Sequence, residues 1–213
     1  AWQSRCVRND SEPPPLAGAA PGPATPRLCH SFPPVCPADA RVLVPGSMPG
    51  AASIVAAPYY AHPRNALWQI LGALFGASPA LPYEQRLQRL AIAGVALWDV
   101  IACGEREGSL DSAIRPGSIE ANDFVRLFSD CPRIRHVFFN GAAAETIFRR
   151  HVSPRMALPE LRFPRLPSTS PAHAARSLDA KLAAWQAVKS AACDGAGPRP
   201  SSFRVPAAIA ASA

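Results

Sequence analysis

Two neighbouring stretches hold the side chains best suited to chemistry on a ligand: Val42-Leu-Val-Pro-Gly-Ser-Met-Pro-Gly-Ala-Ala-Ser53 and Tyr59-Tyr-Ala-His-Pro-Arg-Asn-Ala-Leu-Trp68. Gly46, Pro49 and Gly50 make a turn after an apolar run, and glycine lets backbone approach a ligand closely. Tyr59, Tyr60, His62 and Asn65 then crowd one loop before a helix: rings that stack, an imidazole and an amide that hydrogen-bond. A strand ending in a glycine turn is where α/β proteins bind ligands. The plain alternative is an empty strand-to-helix turn; the aromatic and amide residues favour a site. Asn65 also suits the N-cap of the helix it precedes. Asp99 is the rival carboxylate on the same edge, read as a cap or salt-bridge partner, and Glu105, Glu107 and Asp111 as a solvated loop.

The elements that must position these residues follow from apolar periodicity. Residues 41–44 read as a strand covered on both faces. Pro45 has no N–H and should sit where the ladder ends. Residues 65–76 read as a helix with Leu67, Ile70, Leu71, Leu74 and Phe75 on one stripe. Residues 82–90 give a second helix, 92–98 a second strand, and 99–108 a short helix or turn into a charged loop. Residues 120–130 are helical, 133–139 the third strand, 142–151 a helix and 161–166 the fourth strand. Residues 171–193 read as the last helix, with Leu178, Leu182 and Trp185 inward. Crossovers of this length imply parallel pairing with helices on both faces. The expected fold is α/β: a three-layer α/β/α sandwich with a central four-stranded parallel sheet, its strands ending at one shared edge.

The totals bound the rest. At 213 residues, 48% of them hydrophobic, the chain suits one globular domain. Residues 1–28 are rich in proline, alanine and charge and read as a disordered tail, 29–193 as the α/β domain, and 194–213 as a loose tail. A net charge of +7 fits a polyanionic partner. None of the six cysteines shows CxxC spacing, which argues against a zinc or iron–sulfur site. Scattered thiols suggest a cytoplasmic protein, and no apolar run nears the ~20 residues of a membrane span.

Gly46-Ser-Met-Pro-Gly50, Tyr59-Tyr-Ala-His-Pro-Arg-Asn65 and Trp68 resemble the uracil-DNA glycosylase superfamily, and within it the DNA-deoxyinosine (hypoxanthine-DNA) glycosylase branch. Ala96-Leu-Trp-Asp-Val100, residues 103–113, Phe139-Asn-Gly141 and Leu166-Pro-Ser-Thr-Ser-Pro-Ala172 agree in order. The resemblance implies a monofunctional glycosylase that acts as a monomer on damaged DNA, without metal, cofactor or lysine Schiff base. A paired, stacked base must be flipped out before its glycosidic bond is cut. By resemblance Asn65 is the catalytic residue, its amide oxygen aiming a water at the anomeric carbon. Gly46, Ser47, Met48, Pro49, Tyr60 and Asn140 form the base pocket. Tyr60 stacks on the base, the Ser47 and Met48 N–H groups donate to its carbonyl, and Asn140 reads its edge. A fixed donor there accepts hypoxanthine and mismatches adenine by about 1–3 kcal/mol. Tyr59 reads better as a packed loop aromatic.

Ser168-Thr-Ser-Pro-Ala-His173 resembles the superfamily's minor-groove loop. His62, Ser168, Thr169, Ser170, Pro171 and His173 are the DNA-binding set, helped by helix N–H groups expected near Pro171. Ala172 and His173 fall at the wedge tip, and Arg149, Arg150, Arg155, Arg162 and Arg165 form a basic run suited to the DNA backbone. The near alternative is a uracil or mismatched-thymine glycosylase of the same fold; the distant one is a non-catalytic nucleic-acid-binding protein. A serine hydrolase is disfavoured, because residues 46–50 lack Gly-x-Ser-x-Gly spacing.

Overall fold

The computed structural model describes residues 27–56, 59–156 and 160–194. In chain order its elements begin with β1 (Arg27–His30), β2 (Val42–Gly46), α1 (Ala51–Ala56), α2 (Leu67–Phe75), α3 (Tyr83–Ala93), β3 (Val95–Asp99) and β4 (Ile101–Arg106). They continue with β5 (Glu120–Ala121), α4 (Phe124–Asp130), β6 (His136–Val137), β7 (Phe139–Asn140), α5 (Ala142–His151), β8 (Arg165–Leu166) and α6 (Leu178–Cys193). The expected tails at 1–26 and 195–213 lie outside the described residues; Arg27 and Leu28, assigned to the first tail, instead open β1.

The central sheet is parallel. β3, β2 and β6 pair in that order, and β7 pairs with β8. A parallel bridge from His136 to Arg162 and the Phe138 N–H bond to Leu43 O join the two into one surface. These are the four expected strands, the third shared between β2 and β8. Proline explains the sharing. Pairing of β2 with β6 stops at Leu43, just before Pro45, while its other edge runs on to Gly46 beside Asp99. Pro164 interrupts the fourth strand, offering only its carbonyl, to Phe139 N–H at 3.0 Å.

Helices cover this sheet as an α/β/α sandwich requires. α3 packs on β3, α5 on β7 and β8, and α6 on β2, β8 and α2. Trp98, Phe124 and Phe148 form an aromatic chain in the core, with ring centroids 4.9 and 5.0 Å apart. The Arg41 guanidinium ties two helix ends to the strand start, donating to Ala93 O of α3 at 3.1 Å and Ala192 O of α6 at 2.7 Å.

Several boundaries differ from the sequence reading. Gly94 closes α3 in the left-handed conformation (φ 72°), so residues 92 and 93 are helical and the second strand starts at Val95. Residues 101–106 form β4, not a helix or turn, and with β1 and β5 make an unforeseen antiparallel sheet. Glu120 and Ala121 belong to that sheet; α4 starts later, where Asp123 accepts from Arg126 N–H at 3.0 Å. The last helix starts at Leu178, capped by Ser177, and Leu178 is 43% exposed rather than inward. Among the described residues no helix is long and apolar enough to cross a membrane.

Candidate active site

Parallel pairing brings the ends of β2, β3, β7 and β8 to one edge, and a cavity of about 320 Å³ opens there. Three buried tryptophans fix loops around it. Trp68 Nε1 donates to Tyr59 O at 3.0 Å, Trp98 Nε1 to Phe32 O at 3.1 Å, and Trp185 Nε1 to Pro167 O at 3.1 Å. Each ring fills core while its N–H holds a loop carbonyl, so packing and loop position are set together.

The floor is built around Gly46. Register places it beside Asp99, and a Cβ at Gly46 would stand 2.6 Å from Tyr60 Oη and 2.9 Å from Asp99 Oδ1. Only glycine admits both groups. Tyr60 reaches this place with φ 56°, the one positive value at a non-glycine among the described residues. That conformation costs about 1–2 kcal/mol, and local bonds hold it: Ala61 N–H to Ser53 Oγ at 3.0 Å and Tyr59 N–H to Tyr83 Oη at 3.1 Å. Tyr60 Oη and Asp99 Oδ2 are both buried without a hydrogen-bond partner. Burial, then the negative charge of Asp111, push the Asp99 carboxyl up to about 8, while Arg106 pulls the other way. Burial and Asp99 raise the Tyr60 phenol, and the Asn140 side chain offsets part of that.

The Gly46–Gly50 turn is braced from behind. Val100 N–H donates to Gly46 O at 2.8 Å, and Ile101 N–H to Ser47 O at 3.0 Å. Arg106, 2% exposed, donates to Pro49 O and to Gly108 O. Ser47 Oγ donates to Asp111 Oδ1 at 2.6 Å. The Met48 side chain is buried with Ile101 and Ile114 under the second sheet.

A second part of the cavity is a closed clasp. Asn140 Nδ2 donates to Thr169 Oγ1 and Thr169 N–H returns a bond to Asn140 Oδ1, both at 2.9 Å. Thr169 O accepts from Ala66 N–H at 3.0 Å. Gly141, at φ 99°, lets Ser168 pack against it, where a Cβ would be 2.8 Å from Ser168 Cβ. Beside the clasp, Asn65 lines the cavity with its Oδ1 accepting from Leu67 N–H at 3.0 Å. That bond fixes which end of the amide is oxygen and leaves one lone pair of Oδ1 and both protons of Nδ2. His62 Nδ1 accepts from Arg64 N–H at 3.1 Å, so a neutral His62 carries its proton on Nε2.

All the residues singled out for the pocket and for DNA lie around this one cavity: Asn65, Gly46, Ser47, Met48, Pro49, Tyr60, Asn140, His62, Ser168, Thr169, Ser170, Pro171 and His173. The structure alters some of their expected uses. Thr169 is 1% exposed and bonded to Asn140, so its hydroxyl is not free for phosphate, and the Asn140 amide is partly spent on the same clasp. No helix begins near Pro171. Residues 171–177 instead form turns, pinned where Lys181 Nζ donates to His173 O at 2.9 Å. Arg149 and Arg165 both pair with Glu145, at 2.9 and 3.3 Å, which thins the expected basic run. Among the described residues Asp99 is neither a cap nor a salt-bridge partner, and Asp111, solvent-exposed as expected, also lines the cavity. The sequence signal for Asp99 was its place at the end of a buried strand; nothing local marked Asp111, which depends on the unforeseen β4.

Residues 33–189 match the model of the uracil DNA glycosylase superfamily. A Methanosarcina barkeri protein named hypoxanthine DNA glycosylase is 39% identical over 113 residues, 53% of this chain and 70% of that one. A protein of the same name from Methanosarcina acetivorans is 38% identical over 116 residues, 54% and 72% of the two chains. A solution NMR structure from Methanosarcina acetivorans, described as a candidate uracil DNA glycosylase, superposes with a TM-score of 0.62 at 32% identity. That match covers 76% of this chain and 97% of the other.

Proposed function

The chain belongs to the uracil DNA glycosylase superfamily, and on that footing we propose that it is a DNA glycosylase releasing hypoxanthine from deoxyinosine in DNA. Both similar relatives are named for hypoxanthine. The observation that carries the reading is the gathering of Asn65, Tyr60, Gly46 and Asn140 around one cavity at the sheet's C-terminal edge. Its volume lies at the lower end of the range for small-molecule sites, about 300–1,000 Å³.

The mechanism follows from what these groups offer. A deoxyinosine flipped from the duplex enters the cavity and stacks against Tyr60. Asn65 keeps its helix-facing bond and uses the remaining lone pair of Oδ1 to hold a water beside the anomeric carbon. An amide takes up a proton weakly, so its contribution is orientation rather than base catalysis. Half-buried Ser170 and exposed His173, with His62 beside them on the cavity, meet the phosphates that flank the flipped nucleotide.

The test is base release from duplexes carrying one deoxyinosine, one uracil or one mismatched thymine. Release is expected to be fastest from deoxyinosine. Asn65→Ala is expected to slow it by about 100-fold or more while the chain stays folded. Faster release from uracil or thymine moves the substrate assignment within the same fold. No release from any of them, with tight binding to damaged duplex, favours a binding protein.

A further inference from the structure

We propose that Asp99 is a second catalytic residue of this cavity: a carboxylic acid that gives its proton to a ring nitrogen of the flipped purine as the base–sugar bond breaks. The proposal rests on the deoxyinosine reading above and adds to it.

Asp99 is 2% exposed and lines the cavity. Its Oδ2 is buried with no partner, and Oδ1 faces the bare Cα of Gly46, 2.9 Å from where a Cβ would stand. A buried carboxyl left without a bond in a ligand cavity is a group kept for the ligand. Among the groups around it, Asp111 repels its negative form and Arg106 attracts it. Tyr59, Tyr60 and Tyr83 meet it as phenols, each of which its negative charge would push up. Burial, and after it the Asp111 charge, outweigh Arg106 and keep Asp99 a proton donor at neutral pH.

The chemistry needs such a donor. No carboxylate lies between Gly46 and Asn65, and the Asn65 amide cannot strip a proton from water. Little help is therefore available to the nucleophile, and the departing base is the place to lower the barrier. As the bond from C1′ to N9 breaks, its electron pair passes to the purine and the Asp99 proton goes to N3 or N7. The sugar cation takes the water held by Asn65, and that water releases a proton to solvent. Asp99 regains a proton once the base leaves. One water is consumed, and a free base and a 1′-hydroxyl sugar remain.

Single-turnover release from a deoxyinosine duplex, followed from acid to alkaline pH, tests this. The wild-type rate is expected to fall about tenfold per unit above about pH 8 as the acid form is lost. Asp99→Asn is expected to be about 10²–10⁴-fold slower at neutral pH and to lack that alkaline limb. A residue that only shapes the pocket would slow the reaction and leave the limb in place. Asp111→Asn is expected to move the limb to lower pH, because it removes the like charge that opposes ionisation. It serves also if Asp99→Asn fails to fold. Duplexes with 3-deaza- or 7-deaza-deoxyinosine identify the acceptor: on one of them the Asp99→Asn penalty should vanish. A folded Asp99→Asn enzyme with the wild-type rate, or a limb that Asp111→Asn leaves unmoved, overturns the proposal. A wild-type chain that releases no hypoxanthine at any pH overturns the deoxyinosine reading beneath it, and is told apart by that.

Discussion

Asn140 and Thr169 exchange two hydrogen bonds, and Thr169 O takes a third from Ala66 N–H. Elsewhere in the same cavity Tyr60 Oη and Asp99 Oδ2 are fully buried and have none. The two regions stand at the ends of neighbouring strands and differ in what their polar atoms are for. In the clasp every bond links one segment to another, the end of β7, the Thr169 loop and the start of α2, so the network fixes the spacing of the three. On the floor each orphaned atom costs the fold about 1–3 kcal/mol. Such a cost persists where a bound ligand relieves it. The clasp gives the cavity its shape, and the floor holds its chemical reserve.

That difference should be most visible in the dependence of stability on pH. The folded Asp99 carboxyl is raised to about 8 from an ordinary value near 4, so between those limits the fold holds a proton that the unfolded chain has released. Stability from this group is therefore full at acid pH and declines as pH rises through the window, by as much as about 1.4 kcal/mol per unit. His136 and His151 act in the opposite sense at acid pH, since both are lowered, chiefly by burial. The difference between wild-type and Asp99→Asn denaturation curves isolates the carboxyl. That difference is expected to grow in favour of the variant from about pH 4 to about pH 8 and then level off. A constant difference would mean that Asp99 ionises in the fold much as it does in the open chain.

Gly46→Ala breaks the floor without touching the clasp. The new methyl would sit 2.6 Å from Tyr60 Oη and 2.9 Å from Asp99 Oδ1, and both must retreat. A displacement of about 1 Å at reacting groups is worth about 100-fold in rate. Deoxyinosine release is expected to fall by about that much, with a smaller loss of stability measured by denaturant unfolding. An unchanged rate would show that Tyr60 and Asp99 need no fixed position.

These two regions were unequally legible in the sequence. The parallel sheet was readable because Val42, Leu43, Val44 and residues 95–98 are apolar without a break, and because helices alternate with them. Asn65, Tyr60 and Gly46 were readable as a cluster, because they lie within one short stretch of chain. The clasp was not, because Asn140 and Thr169 are far apart in sequence and each looks like a free polar group when read alone. The role of Asp111 was hidden by β4. Residues 101–106 are buried on both faces of the second sheet, and a strand covered that way shows no alternation of apolar and polar residues. The start of α6 was misplaced because Pro171 is a favoured first helical residue, whereas Ser177 supplies the side-chain cap that decides the matter.

Thr169→Val tests the other half of the comparison. Valine keeps nearly the shape of threonine, and its backbone can still accept from Ala66 and donate to Asn140 Oδ1. What it removes is the Oγ1 acceptor, leaving Asn140 Nδ2 without its 2.9 Å partner in a half-buried place. The expected cost is about 1–2 kcal/mol of stability, from one donor left unmatched. If the clasp only sets spacing, the rate at saturating enzyme should fall less than it does for Gly46→Ala, and the alkaline limb should stay where it is in the wild type. If instead the limb shifts or the rate collapses, Asn140 is coupled to the floor through Tyr60, whose phenol it already influences. The division between a shaping region and a reacting one would then give way to a single network spanning the cavity.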